Sequence, residues 1–344
     1  ALERTYVFLR LLKPAFKNSH VGGAMLKLSC ANMQHAAGET YSARSVLFNK
    51  GQYDMHDVGD ILRTELMEST NHLAWWFFCF PITQNANNDL ALPIFFQYDD
   101  FDYNLRHGDY EKITTIGICL WHEAFEKKNS NFKNYYTMRN RLIIGSLHGG
   151  AGFSKRYVEL LLTYHIAVLL WTYRYKEAHL WLRAVEDYFK GFEWIAAQNP
   201  QELNTEIMRS ADQMLPANKL PIPFTYKNLL WNENYKESRV HRLIRQITMN
   251  GWLLPAKGDA TVAAANPKTL FVAYKKRVLN YDIDAQKGFV TEKSWKQLFG
   301  VLVRLLKVLG FIEREFNKAV KKYQEEYPTY ITEEFWRGFL GLED

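Results

Sequence analysis

Hydrophobic and polar positions along the first third of the chain predict both helices and strands. Residues 3–17 follow a helical period, whereas 20–30 and 112–121 are rich in strand-forming side chains. The apolar run 71–81 stops at Pro81 and is typical of a strand buried on both faces. Helices that alternate with strands predict an α/β region whose sheet is at least partly parallel.

The stretch 99–108 predicts a helix that begins at a carboxylate pair. Asp99, Asp100 and Asp102 fall in its first turn, where the helix dipole stabilises acidic side chains. Arg106 follows Asp102 at the i,i+4 spacing of an intrahelical ion pair. Asp102 therefore has a structural role available, and the other two acids are the candidates for chemistry.

The rest of the chain is predicted to be mainly helical. Helical periods occupy 133–147, 155–176, 178–197, 201–213 and 236–249. A β-hairpin is predicted within 269–290. Thr291 is expected to cap a long helix that ends near Tyr327, and Thr332 a short final helix. The glycine-rich "HGGAGF" places a domain boundary near residue 150, between an α/β domain (1–150) and a mainly helical domain (151–344).

Net charge, cysteine content and the length of apolar runs limit the classes of function that the chain can have. The net charge of +6 is spread among acidic residues and no nucleic-acid motif occurs, so DNA and RNA are not expected partners. Three scattered cysteines without metal spacing indicate reduced thiols in the cytoplasm. No apolar stretch reaches 18 residues and no signal peptide is visible. Because the chain begins at Ala1 in a helical pattern and without Met, we expect a fragment of a longer protein.

Aromatic residues are unusually abundant, at 15% of the chain with ten Trp and twenty Tyr. Trp and Tyr stack on sugar rings and also lie at membrane surfaces, although a large aromatic core would give the same composition.

Asp99, Asp100 and His122 form the candidate chemical constellation. Taken singly, the acids are common at helix starts and a strand-end His is usually a hydrogen-bonding residue. Together they follow predicted strands whose carboxyl ends would converge on one crevice. There an Asp can act as a general base and an imidazole can bind a divalent metal. Because an Asp is a weak base, the leaving group must already be good, as a metal-bound nucleoside diphosphate is.

Several motifs in order carry a family resemblance. They are "VGGAML" (21–26), "GE" (38–39), "WWFFCFP" (75–81), "YDDFDYNLR" (98–106), "LWH" (120–122) and "YYTMRNRL" (135–142). This region of about 140 residues resembles the second half of the catalytic domain of inverting family-two glycosyltransferases with the GT-A fold. It is similar in particular to the polymerising galactofuranosyltransferases of mycobacteria.

The resemblance implies a role for each matching residue. Asp100 would be the catalytic base, Asp99 would orient the acceptor, and His122 would bind the Mn²⁺ or Mg²⁺ that carries the donor diphosphate. Trp76, supported by Trp75, would stack on the acceptor sugar, and Glu39 would lie near the donor. Arg139 and Arg141 would contact phosphate or an anionic acceptor, with a solvated helix surface as the equal alternative for both arginines.

The chain also departs from the family pattern. The metal-binding D-x-D motif is expected upstream of Ala1, together with the uridine-binding half. Phe48 and Phe125 stand where Trp is expected, and Thr137 where His is expected. The implied donor is UDP-galactofuranose and the implied acceptor a lipid-linked, growing cell-surface glycan. Another donor such as a deoxyhexose nucleotide, a silent carbohydrate-binding relative and a helical interaction domain remain alternatives.

One C-terminal stretch has a pattern that suits a membrane surface. Residues 294–316 are apolar over a broad face with Lys296, Arg304 and Lys307 among them. The expected location would then be the cytoplasm, at the inner face of the cell membrane. The alternative is that this stripe is the core of the helical domain.

Overall fold

The computed structural model describes residues 1–42, 44–66, 68–83, 89–123, 132–223, 236–265, 267–283 and 285–342. Up to His122 the helices are α1 (Leu2–Leu11), α2 (Val58–Arg63) and α3 (Asp99–Arg106). The strands are β1 (His20–Lys27), β2 (Cys30–Ala36), β3 (Glu39–Ser42), β4 (Ser45–Phe48), β5 (Tyr53–Asp54), β6 (Phe78–Cys79) and β7 (Lys112–His122).

Strand β1 is the centre of a mixed sheet. It pairs in parallel with β7 on one side, and antiparallel with β2 and β6 on the other, while β5 extends the sheet beyond β2. Lys27 lies opposite His122, so both strands end at the same edge. The prediction of a partly parallel sheet is confirmed by the β1–β7 pair. Strands β3 and β4 form a separate hairpin that stands beside this edge.

The glycine pair in β1 lets another segment approach closely. A Cβ at Gly22 would lie 2.6 Å from Leu73 Cδ2, and one at Gly23 would lie 2.9 Å from Phe77 Cβ. No side chain fits at either position without displacing the segment that carries Leu73 and Phe77.

The prediction of a continuous strand over 71–81 is wrong. Only Phe78–Cys79 form a strand, and the segment before it contains a single β-bridge at His72 and a turn at residues 75–76. The physical reason is that a side chain takes the backbone hydrogen bonds of Leu73, next to that bridge. Asn104 accepts a hydrogen bond from Leu73 N and donates one to Leu73 O, each at 3.0 Å. An apolar run by itself does not distinguish these two ways of burial.

The second part of the chain is mainly helical, with one small sheet. Its helices are α4 (Lys133–His148), α5 (Lys155–Trp171), α6 (Tyr175–Tyr188), α7 (Gly191–Ala197), α8 (Pro200–Ser210), α9 (Arg239–Ile247), α10 (Thr269–Val272), α11 (Trp295–Glu326) and α12 (Glu333–Leu340). The strands β8 (Leu215–Pro216), β9 (Asp259–Ala263), β10 (Arg277–Asp282) and β11 (Lys287–Glu292) pair in the order β8-β11-β10-β9.

Of the two predicted helix caps, one is confirmed and one is wrong. Thr332 caps α12 as predicted, accepting a hydrogen bond from Phe335 N. The predicted cap Thr291 instead lies in β11, and Ser294 caps α11 by accepting from Gln297 N. Ser294 and Gln297 have the spacing of a capping box, which explains the later start.

Helix α11 organises the core of the second part. Its buried face consists of Leu298, Val301, Leu305, Val308, Ile312, Phe316 and Tyr323. This face packs on α4, α5 and α6, and the resulting core also includes Tyr41 and Ile94 from the first part. The domain boundary near residue 150 stays a prediction. Among the described residues, no helix is long and apolar enough to cross a membrane.

Candidate active site

A cleft of about 490 Å³ lies where α3 begins and β7 ends. It is closed on its other sides by the β3–β4 hairpin and by the segment before β6. The predicted residues that line this cleft are Glu39, Trp75, Trp76, Asp99, Asp100 and His122. We call it the carboxylate cleft.

The carboxylates reach this cleft in a different way from the one predicted. Residues 90–98 contain no strand, so Asp99 and Asp100 do not follow a parallel strand end. They form the first turn of α3, directly after Gln97 and Tyr98 in left-handed conformation, with φ of 73° and 67°. Only His122 lies at a strand end. The helix start provides the dipole that stabilises two adjacent acids at one point.

Helix α4 holds the turn before α3 in place. Asn140 Nδ2 donates to Phe96 O at 3.2 Å and to Gln97 O at 2.7 Å. Arg139 Nη2 donates to Phe95 O at 2.9 Å. With 2% of its surface exposed, Arg139 lies in the core instead of at the cleft, so the geometry gives no support to its predicted contact with phosphate. Its position supports the backbone that presents the two acids.

Arg141 also lies outside the cleft lining. Its Nη2 donates to Arg44 O at 2.9 Å and to the Tyr157 hydroxyl. Burial raises the pKa of Tyr98, a cleft residue, and the positive charge of Arg141 opposes that rise. The predicted contact of Arg141 with an anionic ligand stays a prediction.

Asp100 has one oxygen engaged and one without a hydrogen bond from any described residue. Its Oδ2 accepts from Trp75 N at 3.4 Å and lies 3.4 Å from His72 Nε2. Burial and the neighbouring charge of Asp100 raise the pKa of Asp99. Two acids with unequal environments can take unequal roles.

Glu39 and His72 lie behind Asp100. The Glu39 side chain is buried, which raises its pKa to about 7 against the opposing effect of His72. His72 is fully buried, and its Nε2 is 3.4 Å from Glu39 Oε2. Sequence reasoning missed His72. The available signal was an ionisable residue inside the apolar run 71–81, because burial requires such a group to find polar neighbours.

The two tryptophans form one wall of the cleft. Trp76 is fixed by a hydrogen bond from Nε1 to Gly23 O at 2.8 Å. Trp75 is 39% exposed and contacts Tyr103 edge-on, with ring centroids 5.6 Å apart. Phe48 and Thr137, which depart from the family pattern, line the same cleft, whereas Phe125 lies outside the described residues.

His122 lies at the end of β7 and lines the cleft. Its Nδ1 lies 2.7 Å from Glu123 O, and since a carbonyl only accepts, Nδ1 donates this hydrogen bond. However, across the described ranges no three His, Cys, Asp or Glu side chains converge so that they could hold a metal ion. The residues of the cleft alone therefore do not form a complete metal site, and the binding of Mn²⁺ or Mg²⁺ stays a prediction.

Comparison with known proteins agrees with the motifs. No protein-family model matches the chain. A similar protein named Galactofuranosyltransferase GlfT2, from Mycolicibacterium smegmatis, is 21% identical over 359 residues, which cover 94% of this chain and 54% of that protein. Another of the same name, from Mycobacterium tuberculosis, is 27% identical over 198 residues, which cover 51% of this chain and 30% of that protein.

This similarity supports a relationship to glycosyltransferases. The chain spans about half the length of the curated relatives it matches, or less. The activity of the whole protein is therefore a matter for proposal.

Proposed function

We propose that this chain is the catalytic part of an inverting glycosyltransferase with a GT-A-type α/β domain. The transferred sugar is galactofuranose from UDP-galactofuranose, and the acceptor is a hydroxyl of a growing cell-surface glycan. The observation that carries the proposal is the meeting of two aspartates, a buried Glu and two tryptophans in one cleft. The similarity to galactofuranosyltransferases supports the choice of donor.

In the proposed reaction Asp100 is the general base. Its Oδ2 is anchored at Trp75 N, which leaves Oδ1 to accept the proton of the acceptor hydroxyl. The acceptor oxygen forms a bond to the anomeric carbon from the face opposite UDP, and the bond from that carbon to the diphosphate breaks. UDP leaves with the electron pair, and the proton stays on Asp100. Because a carboxylate is a weak base, this step needs a leaving group as good as a nucleoside diphosphate.

The remaining cleft residues position the sugars. Asp99 accepts a hydrogen bond from a neighbouring acceptor hydroxyl, and the rings of Trp75 and Trp76 stack on the apolar face of the acceptor sugar. Glu39, at the rear of the cleft, lies on the donor side. A binding module without catalysis would not require Asp100 to keep one oxygen available beside this wall.

The donor and the stereochemistry test this proposal directly. The full-length protein would be incubated with a glycan acceptor and either UDP-galactofuranose or a deoxyhexose nucleotide, and the product followed by NMR. We expect transfer from UDP-galactofuranose with inversion at the anomeric carbon. Transfer from the deoxyhexose donor alone would favour the other donor, and sugar binding without any transfer would favour a silent relative.

We also propose that the outward face of α11 contacts the inner face of the cell membrane. The predicted apolar stripe divides into two: one half is the buried face of α11, and the other is exposed. The exposed half consists of Trp295, Phe299, Val303 and Leu306. Arg304 is not available to lipid headgroups as predicted, because it forms a bidentate ion pair with Glu186 at 3.0 and 2.6 Å. Lys296 and Lys307 are exposed beside the apolar half and suit anionic headgroups.

A further inference from the structure

His72 is enclosed between two carboxylates of the cleft. It is fully buried, and its Nε2 lies 3.4 Å from Glu39 Oε2 and 3.4 Å from Asp100 Oδ2. Neither the sequence motifs nor the similar proteins pointed to this residue. One nitrogen thus touches both the residue proposed as base and the acid behind it.

The surroundings of His72 fix the imidazole in this position. Its ring stacks on Phe101 with centroids 3.8 Å apart and planes 9° from parallel. Its backbone pairs with Glu39 through hydrogen bonds from Glu39 N to His72 O at 2.9 Å and from His72 N to Glu39 O at 3.2 Å. The β-bridge therefore fixes the backbone of His72, and the ring cannot turn away from the carboxylates without losing its stack on Phe101.

The distances define what the imidazole does. At 3.4 Å, both contacts are longer than a normal N–H···O hydrogen bond, so Nε2 interacts with the two carboxylates mainly through charge and dipole. In a buried setting this interaction is strong and acts on the orientation of the carboxylate. Holding Oδ2 of Asp100 from behind keeps Oδ1 directed to the acceptor.

We propose that His72 is a positioning residue that orients the Asp100 carboxylate and separates its charge from that of Glu39. This inference rests on the proposed function, in which Asp100 is the base. The charged groups that face His72 are Glu39 from β3 and Asp100 and Asp99 from α3, with Arg141 of α4 farther out beside Tyr98.

An Nε2–H group that faces Oδ2 of Asp100 at 3.4 Å favours the ionised form of that carboxylate. Without the imidazole, the Asp100 carboxylate would therefore take up its proton at a higher pH. The acid limb of the pH–rate profile would then move to higher pH. A residue that only filled space would leave that limb unchanged.

Two substitutions separate the roles of the nitrogen and the ring. His72→Phe keeps a ring that can stack on Phe101 but lacks Nε2. His72→Gln loses the ring but places an amide N–H near the position of Nε2. For the full-length protein we expect His72→Phe to lower kcat by about tenfold or more, with KM for donor and acceptor within about twofold and the acid limb moved up. His72→Gln should recover most of kcat.

A matched control is available in β1. His20 is also fully buried and stacks on an aromatic ring, that of Tyr110, with centroids 4.8 Å apart. His20→Phe should leave the acid limb where it is in the wild type. If His72→Phe fails to fold, His72→Asn replaces it, because its amide is too short to reach the position of Nε2. The Asn variant should then show the loss of kcat and the shifted acid limb expected for Phe.

The outcomes separate this inference from the proposed function. Any one of three results would overturn the role of His72. They are an equal loss of kcat in His72→Phe and His72→Gln, an acid limb of the pH–rate profile that does not move, and wild-type kcat in His72→Phe. Asp100→Asn, measured in the same assay, tests the base independently. An inactive Asp100→Asn together with a neutral His72→Phe would remove only the inference, whereas an active Asp100→Asn would remove the proposed function itself.

Discussion

Two aspartates of α3, Asp102 and Asp100, have contrasting surroundings. Asp102 is completely buried, and both of its oxygens are engaged: Oδ2 with Arg106 Nε and Oδ1 with His148 Nε2, each at 2.9 Å. Asp100, two residues earlier, faces the carboxylate cleft with one oxygen anchored and the other without a hydrogen bond from the described residues.

This difference distinguishes charged residues that stabilise the fold from charged residues that are available for chemistry. A charge whose bonding capacity is used up by protein partners stabilises the fold, because removing one partner leaves a buried charge without compensation. A charge held on one side only is oriented and still able to bind or take a proton. The same division applies to the other charged residues, and it can be tested there.

The largest effect is expected at the structural face. Arg106→Met keeps the aliphatic volume but leaves Asp102 and Asp89 without their guanidinium. We expect the free energy of unfolding to fall by about 3–5 kcal/mol, as for other broken buried pairs. Urea unfolding of the full-length protein measures this loss. Arg277→Met, which removes an exposed pair with Asp259, is the control and should change little; equal losses in both would contradict the contrast.

Glu39 should produce a pH-dependent effect of similar size. Its pKa is raised from 4.5 to about 7 by burial, so the folded state holds this proton more tightly than the unfolded state does. The stabilisation is complete below about pH 4.5 and is lost as pH rises to about 7, with an upper limit of about 3 kcal/mol.

Glu39→Gln should remove that dependence. The difference in unfolding free energy between wild type and variant is therefore expected to change between pH 4.5 and pH 7 and to stay constant above it. Chemical denaturation across this range measures it. A constant difference throughout would show that folding does not raise the pKa of Glu39.

A smaller effect is expected from the tryptophan wall. Trp76→Ala removes a ring fixed by Gly23 O, and should weaken acceptor binding by about 0.5–1.5 kcal/mol, with donor binding retained. Trp76→Phe keeps a stacking face and is the matched variant, with a smaller loss. Steady-state kinetics with varied acceptor tests it, and equal acceptor KM in Trp76→Ala and wild type would place the acceptor elsewhere.

The smallest effect concerns α11. Among the described residues no carboxylate pairs with Lys296 or Lys307, whereas Lys318 and Lys321 pair with Glu315 and Glu325. Lys296→Gln with Lys307→Gln should weaken binding to anionic vesicles by about 1 kcal/mol per lysine, measured by flotation. Lys318→Gln with Lys321→Gln is the control pair and should bind as the wild type does. No flotation of the wild type would mean that the exposed face does not contact lipid.

Local patterns predicted more of the fold than of the site. The periods that indicated α3, α4 and β7 are confirmed nearly to the residue, because each element's own side chains determine them. The site residues were predicted from sequence motifs, and most of them line the carboxylate cleft. Arg139 was placed at the surface because sequence does not show that α4 is buried on nearly every side.

His72 was missed for a related reason. Its neighbours Glu39 and Asp100 are 33 and 28 positions away along the chain, and only the tertiary fold brings them into contact. The wrong strand prediction over 71–81 hid it further, because within that run a role at the site was assigned only to Trp75 and Trp76. Partners that are distant in sequence leave no periodic signal in a single chain.

The central claim is that Asp100 is the base and Asp102 a structural acid, and one measurement tests it most directly. The transfer rate per folded molecule is compared for Asp100→Asn and Asp102→Asn in the full-length protein, with thermal unfolding recorded for both. The account predicts that Asp100→Asn unfolds like the wild type but transfers about 100-fold or more slowly, while Asp102→Asn is less stable yet transfers at nearly the wild-type rate per folded molecule. Asp100→Asn with more than about a tenth of the wild-type rate, or the reverse pattern in the two variants, would contradict it.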